Sequence, residues 1–196
     1  MNKRIVILSI NSIKRIGVIM EIIRHHQLLD IILEQHKTYL KDDFKAYRNH
    51  CYRVLNFYAA FVARNPDNLN KGAVAVAFHD LGIWTDDTLD YLPPSISRAK
   101  AYLVEIQHSY WQEDVTLMID NHHKIRPYHP NALVEGFRKA DWLDVSLGVI
   151  PFGLNREFIR TIQHEYPDAG FHLRLIQLSL ANTLKHPLRP LPIFRW

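Results

Sequence analysis

Ala73-Val74-Ala75-Val76-Ala77-Phe78-His79-Asp80-Leu81-Gly82 is an apolar run that stops abruptly at an adjacent histidine and aspartate. A stretch this apolar is buried on most sides. An imidazole and a carboxylate carried inward with it cost free energy unless a metal, a proton or a partner compensates them. The run reads as a helix from Asn70 to Leu81, closed by Gly82 in the left-handed conformation common just past a helix C-terminus. A carboxylate that only orients a core histidine would also explain the pair, so the flanking chain has to decide.

Upstream, Asn65-Pro66-Asp67-Asn68 reads as a turn. Before it, Phe44, Tyr47, Cys51, Val54, Leu55, Tyr58 and Val62 repeat at three and four residues, which predicts a helix from Asp42 to Arg64 with His50 at the edge of its buried face. Downstream, Trp84 to Pro94 reads as an irregular loop ended by a Pro-Pro break, and its Asp86, Asp87 and Asp90 face substrate or only solvent. A helix resumes at Ser97 and runs to Ile106, with His108 near its end. In Gln112 to Lys124, His122 follows Val115, Met118 and Ile119 at i+7, i+4 and i+3, where an apolar residue is expected, and His123 lies on the shoulder of that face. The basic connection Lys124 to Pro130 leads to a helix from Asn131 to Leu147. There Asp141 and Asp144 continue the apolar stripe of Leu133, Phe137 and Ala140, and buried carboxylates need cations or donors.

The ends are plainer. Ser12 to Gln35 carries apolar residues at helical spacing, Asn155 to His164 and Phe171 to Lys185 read as amphipathic helices, and Pro187 to Pro192 as an extended tail. The last helices are assigned to scaffold, with a lesser role as pocket walls. With 196 residues, 47% hydrophobic content and only 7 Gly, the expectation is an all-α, single-domain helical bundle. Within it, 1–41 forms an N-terminal helix, 42–148 the core and 149–196 C-terminal helices packed on the same domain. The net charge of +4 is scattered, which suits a small anionic substrate at least as well as nucleic acid; no aromatic-and-basic groove, dinucleotide fingerprint or glycine-rich phosphate cradle is seen. The single cysteine, Cys51, agrees with a reducing compartment. Asn11, Lys14 and Arg15 interrupt the apolar start, so it is read as cytoplasmic rather than as a signal peptide, and no stretch reaches membrane-span length. Homo-oligomerisation stays open.

The anomalies are thus His50, His79-Asp80 and Asp141, from three separate helices, and imidazole with carboxylate is the donor set for a catalytic divalent ion. In this order the segments Tyr47-Arg48-Asn49-His50, Phe78-His79-Asp80-Leu81-Gly82 and Arg138-Lys139-Ala140-Asp141 resemble the HD-domain metal-dependent phosphohydrolases. The resemblance spans roughly 42–148. It implies an HD-type bundle in which His50, His79, Asp80 and Asp141 hold a divalent ion (Zn, Mn, Ni, Fe or Mg). Members with two metals use further histidines between the pair and the last aspartate, which makes His108 and His122 the candidates here.

The expected chemistry is hydrolysis of a small phosphate ester or nucleotide by metal-activated water. Asp80, His122 and His123 are the candidate catalytic groups, and Lys124, Arg126, Arg138 and Asp144 the candidate substrate contacts. Other HD members are nitrile-type hydratases or di-iron oxygenases, and a catalytically silent metal- or ligand-binding regulatory module is the non-enzymatic alternative.

Overall fold

The computed structural model describes residues 21–185. Among them the regular elements are all helical: α1 (Gln27–Gln35), α2 (Lys37–Leu40), α3 (Phe44–Phe61), α4 (Pro66–Phe78), α5 (Gly82–Thr85), α6 (Leu92–Glu105), α7 (Gln112–Asn121), α8 (Ala132–Val145), α9 (Arg156–Glu165) and α10 (Phe171–Lys185), with 3-10 turns at Lys41–Asp43 and Ser109–Trp111. No helix of these residues is long and apolar enough to cross a membrane.

The alanine- and valine-rich stretch sets the arrangement. Gly72 to Phe78 of α4 are all buried, and a helix apolar on every side must be surrounded. It is packed by α1, α3, α6 and α7, while α3 lies along α8 as the other half of the centre. Tyr47, Tyr52, Phe57, Tyr58 and Phe137 are among the large side chains fully enclosed there. Each such burial contributes roughly 1.5–3 kcal/mol. The small residues of α4 let neighbours come close: a Cβ on Gly72 would lie 2.2 Å from Cε1 of Tyr58.

Several boundaries differ from those expected. Ser12 to Met20 lie outside the described residues, and 21–26 are not helical, so α1 starts only at Gln27. There the chain is tied laterally, Asn56 accepting from Ile23 N through Oδ1 and Tyr52 Oη accepting from His26 N. Asn65 is a cap, accepting from Asn68 N with Pro66 in the first turn, so α4 begins four residues before the expected Asn70. The Pro-Pro pair is likewise no break. It forms the first turn of α6, where proline's missing N–H is harmless, and the helix starts at Leu92 instead of Ser97. Pro187 to Pro192 fall outside the described residues.

Gly82 is not left-handed; it opens the short helix α5. Its requirement is space: a Cβ there would lie 2.7 Å from the Tyr91 carbonyl oxygen and 2.9 Å from Ser95 Oγ. Gly82 N donates to that same Ser95 Oγ, pinning the chain just after His79-Asp80 against the start of α6.

Candidate metal centre

His50 sits in the middle of α3, His79 and Asp80 in the turn after α4, His122 in the turn after α7, and Asp141 in α8. They meet because α3 packs along α8 while α4 and α7 pack on each other and on that pair. All five residues are at most 3% exposed.

Their donor atoms converge. His50 Nε2 is 3.0 Å from His79 Nε2, 3.7 Å from Asp80 Oδ2 and 3.8 Å from Asp141 Oδ1. His79 Nε2 is 3.4 Å from Asp80 Oδ2 and 3.5 Å from Asp141 Oδ1, and His122 Nε2 is 3.4 Å from Asp80 Oδ1. Donors about 2.1 Å from a common ion stand roughly 3.0–3.5 Å apart at octahedral or tetrahedral angles. The atoms of His50, His79 and Asp141, and those of His79, Asp80 and His122, each form a set that could hold a metal ion; His122, His123 and Asp141 form a third.

The far side of every imidazole is already committed. His79 Nδ1 and His122 Nδ1 lie 2.8 and 2.6 Å from the carbonyl oxygens of Val76 and Ile119. A carbonyl only accepts, so these Nδ1 atoms carry the proton and donate it, and Nε2 faces inward. His50 Nδ1 lies 2.7 Å from Asp144 Oδ2. Asp144 in turn accepts from Arg53 Nε at 2.6 Å and from Nη2 at 2.9 Å, while Arg53 Nη1 reaches the Tyr166 carbonyl. Phe171 stacks on the His50 ring at 4.0 Å between centroids. This is the outer support that fixes the tautomer and plane of a metal-ligating histidine.

Inward, His50 Nε2 and His79 Nε2 meet each other at 3.0 Å, and the bonding goes little further. Asp80 Oδ1, His122 Nε2 and Asp141 Oδ1 are buried with no hydrogen-bond partner. Native interiors seldom leave such atoms unpaired, and each of the three residues belongs to one of the sets that could hold a metal ion. The protonation pattern shows the same demand. Burial pushes the His79 imidazole down, but the Asp80 and Asp141 carboxylates outweigh it and hold the group at about 9. Burial raises Asp80 and Asp141, and the facing histidines nevertheless bring both below the usual carboxylate range. Asp144, raised by burial, is held well below that range by Arg53 and His50.

His123 stands at the edge of the cluster against Tyr91, whose hydroxyl meets its Nε2 at 2.5 Å. Burial, then the neighbouring His122, pushes the His123 imidazole down to about 3. The other candidates fall elsewhere. His108 packs on Trp111 at 4.2 Å beside Asp67, at the opposite end of α4, so it is not a second-metal ligand. Arg138 is buried and donates to both Glu135 carboxylate oxygens at 2.8 Å and to the Lys124 carbonyl, which commits its guanidinium to the fold instead of to a phosphate. The Lys124 ammonium lies over the Tyr128 ring, Arg126 is exposed, and neither lines the cavity beside the cluster. Asp144 touches no open space and acts through His50.

That cavity, of about 450 Å³, opens from Asp80, Asp141 and His123 between Tyr91, Trp142 and α10. The expected scaffold role of α10 therefore includes a pocket wall. Arg53 and Tyr91 went unread in the sequence. Arg53 had a signal, being a cation three residues after His50 on the same buried helix face; Tyr91, in a stretch read as loop, had none. No family model, curated protein or solved structure matches this chain.

Proposed function

We propose that the chain is a metal-dependent hydrolase of HD type that cleaves a phosphate ester. The observation that carries this reading is the set of three buried, unpartnered donors, Asp80 Oδ1, His122 Nε2 and Asp141 Oδ1, beside an open cavity. The order His50, His79-Asp80, Asp141 and its resemblance to HD phosphohydrolases support it. His50, His79, Asp80 and Asp141 hold the ion, and His122, expected as an acid–base group or second-site ligand, completes their circle. A divalent ion there supplies Lewis acidity, polarising the ester and making water acidic enough to attack at neutral pH.

The chain's own residues do the rest. Asp144, Val76 and Ile119 keep the three imidazoles in the tautomer that turns Nε2 inward. Hydrolysis joins a water oxygen to phosphorus, breaks the bond from phosphorus to the alcohol oxygen, and returns one proton from the water to that alcohol. The acceptors facing the cavity are the Asp80 and Asp141 carboxylates and the His123 ring, with the Tyr91 hydroxyl as donor beside it.

Elemental analysis of protein purified without chelator tests this reading. About one divalent ion per chain, lost in both His79→Ala and Asp141→Ala, together with release of phosphate from p-nitrophenyl phosphate under that metal, is the expected result. No metal as purified and none after reconstitution would overturn it. The third donor set, His122, His123 and Asp141, shares Asp141 with the first and favours one alternative, a di-iron oxygenase. Two irons per chain would select it.

A further inference from the structure

The cavity beside the cluster has two unlike ends. At its floor are Asp80, Asp141 and His123. Its walls are mostly apolar, with Leu89, Trp142, Val145, Ile176 and Leu180 among them, and hydroxyls come from Tyr91, Ser179 and Thr183. No lysine or arginine is among these described lining residues. The cations that could have been recruited are engaged: Arg53 by Asp144, Arg138 and Lys139 by Glu135, and Arg174 by Asp43. A polyphosphate needs several positive charges along its length, and the described lining residues provide none.

We infer that the substrate is a phosphomonoester whose alcohol is apolar, an alkyl or aryl group seated between Tyr91, Trp142 and α10, with the phosphate at Asp80, Asp141 and His123. This rests on the hydrolytic reading above and narrows its substrate away from nucleotides. The volume of about 450 Å³ corresponds to roughly fifteen water-sized volumes at ~30 Å³ each, enough for a chain of eight carbons. The hydrocarbon leaves water against aliphatic and aromatic walls, and the phosphate lies at the polar end, where a divalent ion held by the cluster would offset the Asp80 and Asp141 carboxylates. Val145, Ile176 and Leu180 are 37%, 56% and 60% exposed, so the apolar wall reaches the surface and gives the chain a way in.

Calorimetric titration of the full chain with n-alkyl phosphates from ethyl to octyl, manganese-loaded and after chelation, tests the inference, with phosphate release measured on the loaded protein. Affinity should rise about threefold to fourfold per added methylene. That increment should persist after chelation, since the wall and not the ion produces it. Leu180→Asp should flatten it, whereas Leu173→Asp, also exposed on α10 but outside the cavity, should leave it intact. Equal affinity from ethyl to octyl would overturn the inference whether or not phosphate is released, as would an increment insensitive to Leu180→Asp. A clear increment without phosphate release under any metal would support the apolar seat and overturn the hydrolytic reading instead.

Discussion

The two ends of α4 are built from the same kinds of residue and treated in opposite ways. At its start, Asn65 caps the helix, Asp67 accepts from Trp111 Nε1 at 2.8 Å, and Lys71 Nζ lies 2.8 Å from Asp67 and 3.0 Å from Asp114. That network is closed and reaches solvent. At its finish, His79 and Asp80 are deeper, the outer nitrogen of His79 is tied to the Val76 carbonyl, and Asp80 Oδ1 is left without a hydrogen bond. A protein that satisfies one end of a helix completely and leaves the other unsatisfied, in the drier place, has reserved that place for something else. The closed end supports the fold, and the open end carries the groups that could hold a metal ion.

The largest effect should come from breaking the outer support of the open end. Arg53→Met leaves the Asp144 carboxylate buried beside His50 alone, and should cost about 3–5 kcal/mol in urea unfolding. Arg53→Met/Asp144→Leu should recover most of that stability while metal affinity falls about 10–100-fold, because His50 loses its orienting partner. A single variant as stable as the wild type would mean that the two ends are less different than their burial indicates.

Metal should act on one end only. A divalent ion at a hundred times its dissociation constant should stabilise the chain by about 2.7 kcal/mol. Asp80→Asn should abolish that shift, and Asp67→Asn should leave it whole, as read from thermal unfolding with and without ion. Equal loss in both variants would erase the distinction. At the closed end, Trp111→Phe removes one hydrogen bond to a half-exposed carboxylate and should cost about 0.5–1 kcal/mol, with metal stoichiometry unchanged.

The smallest effect concerns pH, away from both ends. Burial raises the Glu135 carboxyl, and the bidentate Arg138 outweighs it to bring the group below its ordinary 4.5. A carboxyl depressed on folding contributes stability above its unfolded pKa and loses it as pH falls through the folded one. Glu135→Gln should therefore lower stability by about 1 kcal/mol or less at pH 6, the deficit shrinking below pH 4.5. A deficit that does not vary with pH would remove the ionic part of the contact.

Much of this was legible in the residues. The helical periods of α3, α7 and α8 marked His50, His122 and Asp141 as polar groups on apolar faces, and a single sequence suffices for that. What it could not convey was direction along the bundle axis. His108 and His122 look alike in the chain, yet one falls at the closed end of α4 and the other at the open end, because α6 carries the chain from the open end back to the closed one. Arg138 and Asp144 were misassigned for a related reason. Buried charge was recognisable in both, but its partner, Glu135 in one case and Arg53 with His50 in the other, depends on packing between helices. Gly82 was read by a local rule about helix ends, and the tertiary approach of Tyr91 and Ser95 decided it instead.

The spread of the cluster along the chain has a kinetic side. His50 and His79 are 29 residues apart, and His50 reaches its partner Asp144 across 94. No fragment of the bundle assembles the complete set of donors; α3, α4, α7 and α8 must all have docked before the circle closes. High-affinity capture of an ion would therefore be a late event in folding, and it would discriminate between a finished chain and a collapsed one that lacks a single helix. A captured ion would staple segments distant in sequence, so an unfolding route that separates them would have to break its coordination. Its binding free energy would then add to the stability that the apolar core already provides.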